Sequence, residues 1–211
     1  MIEVEVNHSE RLGPPRSQGR RPTCLVFTTS DLNAFANATA PLSVEFLCHY
    51  AAKAEASWEP SDGFTVDQVF TAVASPGQPE EYIYPYRPDS LDAPLQTPPS
   101  GLTPLYRSPS NTRALTLSDV TALIRQGRAV GVVMAVTKSL FYPEDGIVQF
   151  DPYVIPDQFH AMVAVGVGKH RITNETHICL RNSWGAAWGN QGHAWVPERH
   201  LQLHMHEGFS V

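Results

Sequence analysis

The stretch Gln18-Gly19-Arg20-Arg21-Pro22-Thr23-Cys24-Leu25-Val26-Phe27 decides how the rest of this chain is read. Turn residues precede Cys24, and an apolar, helix-compatible run follows it. A thiol at a helix N-terminus meets free backbone N–H groups and the positive end of the macrodipole, which favour the thiolate, the nucleophilic form. Most free cysteines are inert core residues, so a reactive one needs partners. A thiol nucleophile needs a base, and the base needs a third group to fix its tautomer. Candidates lie far down the chain: His160 in Phe159-His160-Ala161-Met162-Val163, and Asn182 in Arg181-Asn182-Ser183-Trp184-Gly185.

The order Gln18, Cys24, His160, Asn182 resembles that of the papain-like cysteine proteases. Gln18 precedes Cys24 by the family's spacing between oxyanion-hole Gln and nucleophile. His160 to Gly168 resembles the family's catalytic-His strand. Asn182-Ser183-Trp184-Gly185, followed by Trp188-Gly189 and Gly192, resembles its Asn-Ser-Trp-Gly block almost letter for letter. His and Asn lie about 130–150 residues after the nucleophile in that family, close to the spacings here. The resemblance runs from Gln18 to Val196 and implies a two-lobed α+β fold. One lobe would be helical, the other an antiparallel, barrel-like sheet, with the active site in the cleft between them.

Size and composition agree with a globular protein. The 211 residues are 42% apolar and 17% charged, enough for a buried core in one or two lobes. A net charge of −6 carries no nucleic-acid footprint. The longest apolar run, Ala129 to Val136, is too short to span a bilayer. Met1 to Leu12 lacks the apolar region of a secretory signal. Secreted members of the family use a Cys three residues before the nucleophile in a disulfide, and Arg21 stands there. Cys48 and Cys179 read as buried free thiols, which favours a reducing compartment and a cytoplasmic or delivered protein. The family's long propeptide is also missing. Either a regulatory partner, location or expression controls activity, or the sequence begins at a mature end.

Along the chain, residues 1–17 read as an arm whose alternation Ile2-Glu3-Val4-Glu5-Val6 could form an edge strand. Residues 18–105 read as the mainly helical lobe and 106–211 as the mainly β lobe. Helices are expected at Cys24–Asn37, from Ser43 as N-cap to about Lys53, at about Thr65–Ala74 and at Ser118–Gln126. Strands are expected at Ala129–Val136, His160–Gly168, His177–Asn182 and His193–Val196. Helices first and strands later indicate an α+β chain. The Pro-rich segment from Pro85 to Asn111 reads as a surface connection between lobes. It opens on Tyr84-Pro85-Tyr86, a common tripeptide of the family.

The resemblance implies a role for each site residue. Cys24 would be the nucleophile, His160 its base and later the acid for the leaving amine, and Asn182 the group that orients the ring. Gln18 and the Cys24 backbone N–H would form the oxyanion hole. Trp184 would shield the His–Asn bond. Gly63 matches a glycine whose backbone meets the substrate chain, with Asp62 and Phe64 beside it. Phe159 and Gln158 would border the cleft. No cofactor is expected, since the acyl chemistry needs no metal. His200, His204 and His206 could suggest one, but they read more simply as a solvated C-terminal segment. The pair Arg20-Arg21 reads as loop surface, or as a contact for acidic substrate residues.

Departures from the family stand at Arg21-Pro22-Thr23-Cys24-Leu25, at Asp62, and at Phe159 before the histidine. They suggest a divergent, bacterial-type branch. The expected function is hydrolysis of peptide bonds in a peptide or protein substrate through a thioester acyl-enzyme. Two alternatives stay open: the same triad serving a deamidase, isopeptidase or transglutaminase-like effector, and a catalytically silent peptide-binding module.

Overall fold

The computed structural model describes residues 1–88, 95–109 and 111–211, with side chains at all of these except 111–113. The chain falls into two compact units. One comprises Met1–Arg16 with Arg113–Ser210, the other Ser17–Thr112 together with Val211.

The Ser17–Thr112 unit is built on three helices: α1 (Cys24–Asn37), α2 (Val44–Ala52) and α3 (Val66–Ala74). α1 is buried at every position from Leu25 to Phe35, so it is a core helix rather than an amphipathic surface one. It ends at Ala38 in the left-handed conformation, with φ 51°. Ser43 caps α2 by accepting the Phe46 N–H at 3.1 Å. Thr65 and Gln68 close a reciprocal capping box on α3. Local signals of this kind explain where α2 and α3 begin.

Seven strands make up the other unit's sheet: β1 (Ile2–Asn7), β2 (Asn111–Leu115), β3 (Val130–Thr137), β4 (Val154–His170), β5 (Thr176–Arg181), β6 (His193–Pro197) and β7 (Met205–Ser210). Their order is β2-β7-β3-β4-β5-β6, with β1 paired to the far half of β4. The pairs β1–β4, β3–β4, β3–β7, β4–β5 and β5–β6 are antiparallel. Helices α4 (Leu117–Arg125), α5 (Lys138–Phe141) and α6 (Glu198–His204) accompany the sheet. One core joins Val120 and Ile124 of α4 to Val132 and Met134 of β3, Met162 of β4, Ile178 and Leu180 of β5, and Leu201 of α6. The alternating N-terminal stretch is a strand, with a bulge between Val4 and Val6 that leaves Val4 exposed.

Two readings need correction. Two of the three C-terminal histidines are not solvated: His200 is fully buried and His204 is buried on α6, while His206 is exposed on β7. The polar look of His200-Leu201-Gln202-Leu203-His204 hides a helix whose inward face uses imidazoles as well as Leu201. Among the described residues, no group of three or more His, Cys, Asp or Glu side chains is placed to hold a metal ion. Arg21 is neither loop surface nor a docking charge, because it is buried against Glu45 of α2 at 2.5 Å. Within the Pro-rich segment, residues 89–94 and 110 lie outside the described residues. Tyr106, however, exchanges two backbone hydrogen bonds of 2.8 Å with Gln78, so that stretch is fastened to the helical unit.

The three cysteines are free thiols, Cys48 and Cys179 buried and Cys24 half-buried. Among the described residues, no helix is long and apolar enough to cross a membrane.

Candidate active site

His160 lies on β4, opposite Met134 of β3. Val163 of β4 faces Arg181, the last residue of β5, so Asn182 falls one step further towards His160. The two side chains meet with 2.7 Å between His160 Nε2 and Asn182 Oδ1, and both residues are buried. The same Oδ1 accepts the Ser183 backbone N–H at 2.8 Å. That N–H can only donate, so the amide atom it meets must be oxygen. His160 Nε2 therefore carries the hydrogen and donates it to Asn182. In the neutral ring Nδ1 is then left with the lone pair.

The loop after β5 supports this pair. The Asn182 N–H donates to Gly192 O at 2.9 Å. Gly189 and Gly192 have φ of +56° and +76°, and a Cβ on them would lie 2.4 Å from His193 O and from Pro15 Cβ respectively. The glycines of this block are thus demanded by backbone conformation and by close approach together. Trp184 lies against the His160 ring, centroid to centroid 4.6 Å, and is stacked in turn on Phe141 at 5.1 Å. Trp188, buried behind it, donates its indole N–H to Leu140 O at 2.8 Å.

In the helical unit, Cys24 is the first residue of α1. No acidic residue stands in the first turn to offset the positive helix end, and no side chain caps it. The N-cap Thr23 is diverted: its hydroxyl pairs with Tyr86 Oη at 2.8 Å. Tyr86 O–H donates to Gln18 O at 2.9 Å, so Thr23 is the donor of that pair. The Gln18 side chain is buried, and its Nε2–H donates to Arg21 O at 2.8 Å. That carbonyl also accepts the Thr23 N–H at 2.8 Å. Burial is the strongest single influence and opposes the charge on Arg21, but the Glu45 hydrogen bond and the nearby Cys48, Tyr86 and Glu45 groups together outweigh it and hold the guanidinium above its ordinary range.

The model of the family described as papain family cysteine protease matches residues 15–207. The chain belongs to that family. Digestive procathepsin L 3 from the larval midgut of Tenebrio molitor is similar in structure, with a TM-score of 0.77 at 18% identity over 100% of this chain and 71% of that one. The ragweed pollen allergen Amb a 11, a cysteine protease in its proform, gives 0.79 at 19% identity over 99% of this chain and 66% of its own. Xylellain, a cysteine protease from Xylella fastidiosa, gives 0.74 at 17% identity over 100% and 87%. No curated protein sequence matches the chain. The papain-like α+β fold and the assignment as a cysteine peptidase rest on these matches.

Against this papain-family background, the remaining candidate residues are placed as follows. Gly63 is exposed, and its carbonyl accepts the Trp58 indole N–H at 3.0 Å. A Cβ there would meet nothing closer than Pro22 O at 4.0 Å, so sterics do not demand glycine. The Asp62 carboxylate turns back to accept the Glu59 N–H at 2.8 Å, and Phe64 lies against Trp58 at 5.1 Å. Gln158 and Phe159 are exposed on β4, with the Phe159 ring 5.6 Å from that of His206. Sequence reasoning gave no role to Tyr86, Glu45 or Phe141. Glu45 carried a usable signal: a carboxylate among Val44, Phe46, Leu47 and Cys48 is buried only if it is paired.

Proposed function

We propose that Cys24, His160, Asn182 and Gln18 act together as the catalytic set of a peptide-bond hydrolase. The Cys24 sulfur, as thiolate, attacks the scissile carbonyl carbon and a C–S bond forms. The carbonyl electron pair moves to oxygen, where the Gln18 side-chain N–H and the Cys24 backbone N–H stabilise it. On collapse the C–N bond breaks, and protonated His160 gives its proton to the leaving amine. Water, deprotonated by His160, then attacks the thioester. Its proton ends on the returning thiol pair, and a carboxylic acid leaves. Asn182 stays neutral throughout and holds the ring.

The observation that carries this reading is the His160–Asn182 bond of 2.7 Å, with its amide oriented by the Ser183 N–H. It supports a ring whose Nδ1 serves the sulfur. Gly63, Asp62, Phe64, Gln158, Phe159 and Trp184 are assigned to substrate contact. Incubation with a diverse peptide library, read by mass spectrometry, tests the reaction type. New termini are expected. A gain of one dalton on Gln without cleavage would instead assign a deamidase, and no change would assign a silent binding module.

A further inference from the structure

Gln18 can serve an oxyanion only if its amide is held still, and the structure shows by what. One Nε2 hydrogen is committed to Arg21 O, which fixes the amide plane and the direction of the second N–H. The Gln18 main chain is held separately, by the Tyr86 hydroxyl on its carbonyl oxygen. Both holders are themselves anchored in the helical unit. Arg21 Nη1 donates to Glu45 Oε2 at 2.5 Å and to Arg87 O at 3.1 Å, and the guanidinium lies 4.7 Å from the centroid of the Tyr86 ring. Glu45 Oε2 also accepts the Arg87 N–H at 3.3 Å. The Tyr86 N–H donates to Glu81 Oε1 at 2.7 Å, and Glu81 Oε2 accepts the Val44 N–H at the start of α2. The edge of Tyr86 meets Phe27 of α1 at 4.8 Å. A buried cation, a buried carboxylate and a phenol thus converge on one short turn, a costly arrangement unless geometry depends on it.

We propose that Arg21, Glu45 and Tyr86 are positioning residues that set the oxyanion donor, acting on substrate only through Gln18. This inference rests on the oxyanion role proposed for Gln18. Arg21 fixes the Gln18 side chain through its own carbonyl. Glu45 fixes Arg21 through a charge-assisted hydrogen bond from Nη1, which also donates to Arg87 O, while the planar guanidinium lies over the Tyr86 ring, a combination a lysine ammonium does not match. Tyr86 fixes the Gln18 main chain through its hydroxyl on the Gln18 carbonyl oxygen.

The variants Tyr86→Phe, Arg21→Lys and Glu45→Gln keep bulk in place, and Tyr86→Phe keeps the ring under the guanidinium. Each is compared for kcat and KM on a peptide amide and for the rate at which iodoacetamide alkylates Cys24. Alkylation builds no oxyanion. A donor displaced by a fraction of an ångström to 1 Å should cost about 10- to 100-fold in kcat. KM and the alkylation rate should stay within about twofold, as expected when only a transition-state contact is lost. On a Gln18→Ala background the loss from Tyr86→Phe should shrink below about threefold, because residues acting as one unit are not additive. Unchanged kcat in Tyr86→Phe and Arg21→Lys, beside a costly Gln18→Ala, would overturn the proposal and leave the oxyanion reading standing. An equal loss with and without the Gln18 side chain, or a parallel loss of alkylation, would also overturn it. A silent Gln18→Ala would bring down the oxyanion reading itself.

Discussion

Asn182 shows how much a single amide can decide. Its oxygen takes two N–H donors, one from a backbone that cannot reverse and one from His160. Replacement by Ala removes the acceptor and lets the ring turn. We expect kcat for peptide hydrolysis to fall by about 10²-fold or more, the scale of a misplaced catalytic group. Alkylation of Cys24 should fall less, since a turned imidazole still pairs with the sulfur part of the time. Equal hydrolysis rates for Asn182→Ala and the parent would remove Asn182 from the mechanism. The thiols separate just as sharply. Burial pushes Cys179 up to about 12 and raises Cys48 further, so neither is a thiolate near neutrality. Folded protein should take one alkyl group, at Cys24, while denatured protein without reductant should take three. Two equivalents or fewer after denaturation would reveal a disulfide. At this scale spacing is the signal from which Gln18 and Cys24 are proposed. It was silent on Arg21, since a basic pair in a turn reads as surface until Glu45 is seen beside it.

Local chemistry made helices α1 to α4 and strands β3 to β6 legible as elements. Ser43 announces α2 as a cap, whereas Thr65, read as the start of its helix, is the cap of α3; removing its hydroxyl by Thr65→Ala should cost about 1 kcal/mol in a denaturant midpoint experiment. Elements α5, α6, β2 and β7 were not legible, because each is short or has a pattern that depends on long-range neighbours. β7 pairs with β3, remote in sequence, and its Met205-His206-Glu207-Gly208 start has no apolar alternation. α6 buries His200, which donates towards Thr137 Oγ1 at 3.4 Å and accepts the Asp151 N–H at 3.5 Å on Nδ1. His204, its ring 4.7 Å away, donates to Asp151 O at 2.7 Å. Burial first, then the neighbouring His204, pushes His200 down to about 4, with Asp151 opposing. A histidine depressed on folding binds its proton more readily when unfolded. Stability should therefore fall as pH drops from about 6.5 towards 4 and level off below that. Denaturant midpoints across this window should flatten in His200→Gln, and an unchanged slope would show that His200 does not titrate there.

On the scale of the whole molecule, the proposed chemistry draws Cys24 and Gln18 from one unit and His160 and Asn182 from the other. The expectation of two lobes rests on the order in which the family's blocks follow one another along the chain. Substrate preference was not readable, since Asp62 and Phe159 depart from the family and specificity depends on surface side chains rather than on spacing. The proposed chemistry passes through a thioester on Cys24. Acid quenching of the enzyme during turnover of a peptide ester, then digestion and tandem mass spectrometry, tests it most directly. The expected result is an acyl adduct on Cys24 that decays on a chase in water as fast as product forms, and that is absent from Cys24→Ala together with activity. Acylation of Cys48 or Cys179, or hydrolysis by Cys24→Ala at the parent rate, would contradict it.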